Sequence, residues 1–315
     1  MDTDITKFRV PNELWRDVPP LARLWLAVPT RIRLAVYRLI WWLADTMYPR
    51  GYAVRVHRIL PGIYLKYGLI KSSEPHAMLL LRRHTNLHSS VALDYVTSTQ
   101  AMIGGSQGIN SYTTAFLLMT AARGQSLMAV EDKLTPGQIT SLGLELRDYL
   151  AEMHKIPNPY KYGLCSSAGG GVDAPRITAD NFDLPPCENI RAFHGWLTRR
   201  MGMDWPLMEP KVQPLFDKYD EQPTIFSHGD LSSDNIMVHN GRLSGLIDWE
   251  TSGWMPPYWD YLCTRWENSE VCKTVVRLAI PEHSDREKYE MSAAAAVGRG
   301  HSPTTIPSFE EANIL

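Results

Sequence analysis

Two periodicities alternate along the chain. Ile139, Leu142, Leu146, Tyr149, Leu150 and Met153 recur at helical spacing and form one stripe, which reads as core. Thr135, Pro136 and Gln138 stand before it with the spacing of a capping box and a proline in the first turn, so a helix is predicted over 135–155. A second helix is predicted over about 188–201, and 261–280 can make one more. Between them lie β-type runs. Residues 52–71 hold two runs around Pro61-Gly62, 91–96 reads as a strand, and 111–120 as another, rich in β-branched and aromatic residues. The Gly- and Ser-rich stretch 101–111 reads as a turn. Residues 156–190 read as a long loop, and 204–221 as a mixed stretch interrupted by prolines.

The two ends differ from this middle. Residues 1–20 are polar and proline-bearing and read as an arm. Residues 21–44 are apolar but carry Arg23, Arg31, Arg33 and Arg38, and Pro29 divides them. Ile32, Val36, Leu39, Ile40 and Leu43 follow at helical spacing. The arginines and the proline argue against a membrane-spanning helix. Two readings stay open: an amphipathic helix laid on the rest of the protein, or a basic helix touching a membrane surface with Trp41 and Trp42 at the interface. At the other end the stretch from Ser292 has no apolar period, and 291–315 reads as a disordered tail.

The densest signal is TIFSHGDLSSDNIMVHNGRLSGLIDWE, from Thr224 to Glu250. Asn240-Gly241 separates two β-type runs, which is a strong hairpin signal because both central residues of a type I′ turn need positive φ. Such a hairpin brings Asp230 and Asn235 to one mouth, and Asp248 returns to the same mouth on the next strand. Three oxygen-bearing side chains placed so suit phosphoryl transfer with Mg²⁺, which depends on positioning and charge neutralisation. Mg²⁺ takes hard oxygen ligands and keeps several waters, so one carboxylate and one amide oxygen can suffice. A loop-capping role accounts for any one of these residues taken alone, but not for the set in register.

HGDLSSDNIMV followed by LIDWE resembles the aminoglycoside phosphotransferase and choline kinase-like enzymes, fungal-type members included. That resemblance implies an α+β, bilobal protein-kinase-like fold, with a small β-rich N-lobe and a mostly helical C-lobe. It implies Asp230 as catalytic base, Asn235 and Asp248 as metal ligands, and His228 as a brace of the loop. Lys66, inside a β-type run, matches the lysine that holds the α/β-phosphates. Glu74 matches the glutamate that positions it, although a first-turn dipole partner is its other reading. The stretch 119–124 matches the hinge, where backbone groups of Met119 and Ala121 would meet the adenine. The domains expected are an N-terminal helical extension over 1–49, an N-lobe over 50–122, a C-lobe over 123–290 and the tail. The similar N-terminal helix of the fungal-type members favours the reading in which 21–44 lies on the protein. There is a departure: no Gly-rich loop precedes Lys66, and Gly62 stands alone.

Composition then narrows the field. The 315 residues are 44% apolar and 21% charged, ordinary for a globular protein with a real core. A net charge of −2 offers no global field for nucleic acid. Cys165, Cys187, Cys263 and Cys272 fit no close-spaced zinc pattern and no disulfide framework. With no leader-like apolar stretch over 1–7, a cytoplasmic protein is expected. The function expected from the resemblance is transfer of the ATP γ-phosphoryl group to a hydroxyl of a small molecule, with ATP and Mg²⁺. A protein kinase and a non-catalytic, pseudokinase-like binding module are the alternatives. His-Gly-Asp, Asp-Trp-Glu and the lack of an Ala-Pro-Glu segment count against the first. The intact Lys66, Asp230, Asn235 and Asp248 count against the second. Asp204, Glu209, Asp217, Asp220 and Glu221 could meet a cationic acceptor or simply form a solvated face.

Overall fold

The structure is a computed structural model, and it describes residues 15, 18–47, 56–103, 109–174, 183–306 and 309. The arm over 1–14, the centre of the 101–111 turn and the last residues of the chain lie outside these. The chain forms two compact units, divided after Ala122.

In the first unit, helices Pro20–Leu26 (α1) and Thr30–Met47 (α2) precede strands Val56–Leu60 (β1) and Ile63–Gly68 (β2). Helix Ser73–His84 (α3) follows, then strands Ala92–Ile103 (β3) and Ile109–Thr120 (β4). The strands make one antiparallel sheet in the order β1-β2-β4-β3. Pro61-Gly62 closes the first hairpin, with Leu60 facing Ile63. In β2, Lys66 is paired with Leu117 of β4. The two long strands extend into the stretch read from sequence as a turn.

The helix pair is anchored to this sheet through a polar knot. Asp94 of β3 is 1% exposed. It accepts bonds from Tyr37 Oη at 2.6 Å, from Trp25 Nε1 at 3.1 Å and from the Arg33 guanidinium. Tyr37 also joins Leu65, Val96 and Phe116 in a core cluster. A buried carboxylate must be answered by donors, and here the helix pair supplies them. α2 therefore turns Arg33 and Tyr37 inward. The apolar stripe expected to face the core is rotated away: Ile32, Leu39 and Leu43 are exposed, while Ile40 stays half-buried. Trp41, expected at an interface, packs inward on His57, Tyr67 and Phe116; Trp42 is the exposed one. No helix among the described residues is long and apolar enough to cross a membrane.

The second unit begins with strand Gln125–Ser126 (β5) and helices Leu127–Val130 (α4) and Pro136–Met153 (α5). The capping box predicted at Thr135 and Gln138 is formed. The predicted stripe is buried at Leu142, Leu146, Tyr149, Leu150 and Met153. Strand Cys165–Ser166 (β6) and helices Ile190–Met201 (α6) and Trp205–Tyr219 (α7) come next. Strands Ile225–Ser227 (β7), Ile236–His239 (β8), Arg242–Leu246 (β9) and Gly253–Met255 (β10) form two three-stranded sheets, β6-β10-β7 and β5-β8-β9. Helices Trp259–Cys263 (α8), Glu270–Ala279 (α9) and Asp285–Gly298 (α10) close the unit.

Two expectations are corrected here. The stretch 204–221 is not a broken segment but holds the helix α7, with Pro210 and Pro214 inside it. Pro206, Pro210 and Pro214 are spaced by four on its exposed side, so the carbonyls that lose an N–H partner can turn to water. The tail expected from 291 is not found there, because Met291 to Gly298 are the second half of α10. Ser284 and Glu287 form a capping box at its start, and Met291, Ala294, Ala295 and Val297 are buried in the unit's core. Alanine carries little hydrophobic signal but is the best helix former and packs closely.

Candidate active site

The catalytic-type loop of the second unit is fixed from several sides. The Asn240-Gly241 turn has positive φ at both residues, 52° and 74°, and joins β8 to β9 as the type I′ signal predicts. Ile236 pairs with Leu246, and the Ile247 N–H donates to the Asn235 carbonyl at 3.0 Å. Asn235 and Asp248 are therefore carried to the same end of the hairpin. The Asn235 side-chain amide donates to the Asp230 carboxylate and to the Asp230 carbonyl, both at 3.0 Å. With its nitrogen engaged there, Asn235 presents its carbonyl oxygen as the atom for a hard cation. Asp248 has φ 64° and ψ 67°, the left-handed region. A non-glycine residue held there costs on the order of 1 kcal/mol or more and is worth a functional explanation. The donors fit Mg²⁺ in chemistry: one amide oxygen, on the buried Asn235, and one carboxylate, on the half-buried Asp248.

His228 does brace the loop. It is fully buried, its Nε2–H donates to the Ile247 carbonyl at 2.9 Å, and Nδ1 accepts the Asp230 N–H at 3.2 Å. One ring thus ties the residue before Asp248 to the backbone of Asp230. Asp260, in the first turn of α8, reaches in from that helix. It accepts the Gly229 N–H at 2.7 Å and the His228 N–H at 3.3 Å. Burial pushes the Asp260 carboxyl above the usual range, against the opposite pull of those backbone N–H groups and of the nearby histidines. Gly229 has φ 83°, and a Cβ there would lie 2.6 Å from the Thr251 carbonyl, so the close turn admits only glycine.

Sequence reasoning missed Glu267. It accepts the Ser233 N–H at 2.7 Å and the Ser269 N–H at 2.7 Å, pinning the loop between Asp230 and Asn235. Burial raises its pKa, but the N–H groups of Ser269, Ser233 and Asn268 outweigh that and hold the carboxyl below the ordinary range. Only a Ser-rich loop and a remote glutamate signal this contact, and no local pattern joins them.

In the first unit the expected ion pair is formed. Lys66 Nζ lies 2.9 and 3.0 Å from the two Glu74 oxygens, and both residues are buried. Glu74 sits in the first turn of α3, so both readings of it hold at once. Tyr95 is half-buried near Glu74, and burial, with the Glu74 charge, raises the pKa of its phenol. At the end of β4, Met119 pairs with Tyr64 and Ala92. The Ala121 N–H donates to the Gly62 carbonyl at 2.8 Å, which leaves its own carbonyl as the group it can offer a base. The acidic residues after α6 are partly spoken for: Asp220 and Glu221 both pair with Arg191, and Asp220 also bonds His194 at 2.6 Å.

Comparison with known proteins gives three results. The profile of the phosphotransferase enzyme family matches residues 76–290. The aminoglycoside 3′-phosphotransferase of Enterococcus faecalis is 38% identical over 65 residues, which are 20% of this chain and 25% of that enzyme. The chain thus aligns with only about a quarter of that curated relative's length. Among solved structures, the GDP complex of an aminoglycoside 2′-phosphotransferase-IIIa variant superposes with TM-score 0.50 at 16% identity, covering 82% of this chain and 88% of that one. A ternary complex of a thermostable aminoglycoside phosphotransferase APH(4)-Ia with AMP-PNP and hygromycin B gives TM-score 0.48 at 12% identity, covering 80% and 81%. The fold is the α+β, protein-kinase-like one.

Proposed function

Because the chain belongs to the phosphotransferase enzyme family, we propose that it transfers the γ-phosphoryl group of ATP to a hydroxyl of a small molecule. The observation that carries this reading is the interlock of Asp230, Asn235 and Asp248: one amide bonded to the base, and a strained aspartate one residue beyond a bond to Asn235.

In this reading Asp230 takes the proton of the acceptor hydroxyl as its oxygen attacks the γ-phosphorus. The bond from that phosphorus to the β-bridging oxygen breaks, and ADP leaves with the electron pair. Asn235 holds the Asp230 carboxylate at a fixed angle, so the base does not rotate away from the acceptor. Lys66, aimed by Glu74, binds the α/β-phosphates as a point charge. The backbone near Met119 and Ala121 meets the base. Asn235 and Asp248 would hold Mg²⁺, which when bound neutralises phosphate charge. A cytoplasmic location, where ATP and Mg²⁺ are supplied, belongs to the same proposal.

The test begins with ATP binding by calorimetry, with and without Mg²⁺, on the full chain. GTP runs beside it because the 2′-phosphotransferase neighbour was obtained with GDP. A screen of hydroxylated small molecules, aminoglycosides among them, then reads ADP release. Asp230→Asn is expected to lower turnover about 10³-fold with nucleotide affinity kept. Full turnover in that variant would remove Asp230 from the mechanism. No binding at millimolar nucleotide would return the chain to the binding-module reading.

A further inference from the structure

The α1–α2 pair is amphipathic the wrong way round for a helix pair covered by water. Its inward side carries Arg33, Tyr37 and Trp25 on Asp94. Its outward side carries Leu21 and Leu24 on α1, and Ile32, Leu39, Trp42, Leu43 and Met47 on α2, all exposed, with Trp42 at 61% and Met47 at 65%. At about 100° per residue, the five α2 positions fall in one arc of roughly 140°. Val36 completes that arc half-buried. Single exposed apolar residues need no explanation, but a continuous arc does.

The charge on this element is mostly of one sign. Residues 18–47 hold four arginines and a single acid, Asp45, in a chain whose net charge is −2. Arg31 and Arg38, seven residues apart, stand exposed at the edge of the arc beside Trp42. Arg38 donates through Nη2 to Ser98 Oγ at 2.7 Å, so its guanidinium is held at the sheet and Arg31 is the one that leads this edge. An apolar arc, an exposed tryptophan and a basic edge led by Arg31 match the chemistry of an anionic lipid surface, where the ring sits at headgroup level and the guanidinium meets phosphate. A symmetric pairing of two copies fits less well. It would face Arg31 and Arg38 with the same arginines and offer one carboxylate, Asp45, in return.

We propose that the outward face of α2 docks the protein on an anionic membrane surface. Asp94 is the device that makes this face: by drawing Arg33 and Tyr37 inward it commits the apolar arc to the outside. The helix lies on the surface, since it is too polar on its inner side to enter the bilayer.

The test is flotation of the full chain with vesicles of phosphatidylcholine alone, and of roughly three parts phosphatidylcholine to one part phosphatidylserine. Binding is expected to the anionic vesicles and to fall steeply with salt. The double variant Leu39→Gln, Trp42→Gln is expected to lose binding by at least about tenfold. Arg31→Glu is expected to lose about tenfold on anionic vesicles only. All these positions are exposed, so near-unchanged melting should confirm that the variants fold. Absence of binding to either vesicle overturns the proposal. So does a concentration-dependent dimer, seen by light scattering and abolished by the double variant, because that assigns the arc to a second copy.

Discussion

Two buried aspartates, one in each unit, solve the same problem in opposite ways. Asp94 is answered by side chains: a guanidinium, a phenol and an indole from two helices that precede the sheet by some way in sequence. Asp260 is answered by main chain: the N–H groups of His228 and Gly229. A side-chain partner can be exchanged one residue at a time, so the first arrangement is open to revision and fastens an accessory element. A main-chain partner cannot be mutated away, so the second is closed to revision and fastens the loop that carries Asp230. Both carboxylates are 1–2% exposed. Their difference lies in what each holds, not in how deep each sits.

Breaking the first anchor should have the largest effect on stability. Asp94→Ala leaves the Arg33 charge buried without its carboxylate, and the loss of one partner of a buried pair costs about 3–5 kcal/mol. Thermal or urea unfolding of the first unit would register it. A double variant Asp94→Leu, Arg33→Met should recover most of that loss, as replacement of a whole buried pair often does. If Asp94→Ala melts like the parent, the knot is not an anchor.

Breaking the second anchor should show in rate before stability. Asp260→Asn keeps one acceptor for the Gly229 N–H and loses the other contact, so His228-Gly229-Asp230 can shift. A displacement of about 1 Å is expected to cost on the order of 10²-fold in kcat. The KM for ATP should move little. A loss in KM instead would place the effect on nucleotide binding. Glu267→Ala, which releases the Ser233 N–H from the far side of the same loop, should cost less, about tenfold in kcat. Steady-state kinetics on the two single variants and the double separates a shared effect on Asp230 from independent ones.

The finest discrimination is a slope with pH. Asp260 has its pKa raised by burial, so the folded protein binds that proton more tightly than the unfolded chain. Its contribution to stability is full below the ordinary carboxylate pKa and is lost as pH climbs through the raised value. Denaturant melts of the parent and of Asp260→Asn across that window should differ in slope. Equal slopes would mean that the carboxyl titrates as it does in water.

Much of this was legible in the sequence because it is local. Thr135 and Gln138 are three residues apart, Asn240 and Gly241 adjoin, and His228 to Asn235 span one loop, so their geometry is written in spacing. The Lys66–Glu74 pair was legible only through family likeness, although it spans just eight residues. What escaped was decided at long range. The turn of α2 is set by Asp94, more than fifty residues away, against the stripe that its own sequence displays. Glu267 reaches Ser233 across thirty-four residues. Within α7 the prolines misled because propensity scores an interior proline the same on either side of a helix, whereas water forgives it on the exposed side. In α10 alanine misled because its apolar signal is weak while its packing is close.

The left-handed backbone at Asp248 sets sturdiness against chemistry at one position. Glycine would sit there at ease, and the relief is worth on the order of 1 kcal/mol. Under the proposed function the same exchange removes a ligand for Mg²⁺, so Asp248→Gly is expected to make the protein sturdier and to silence it together.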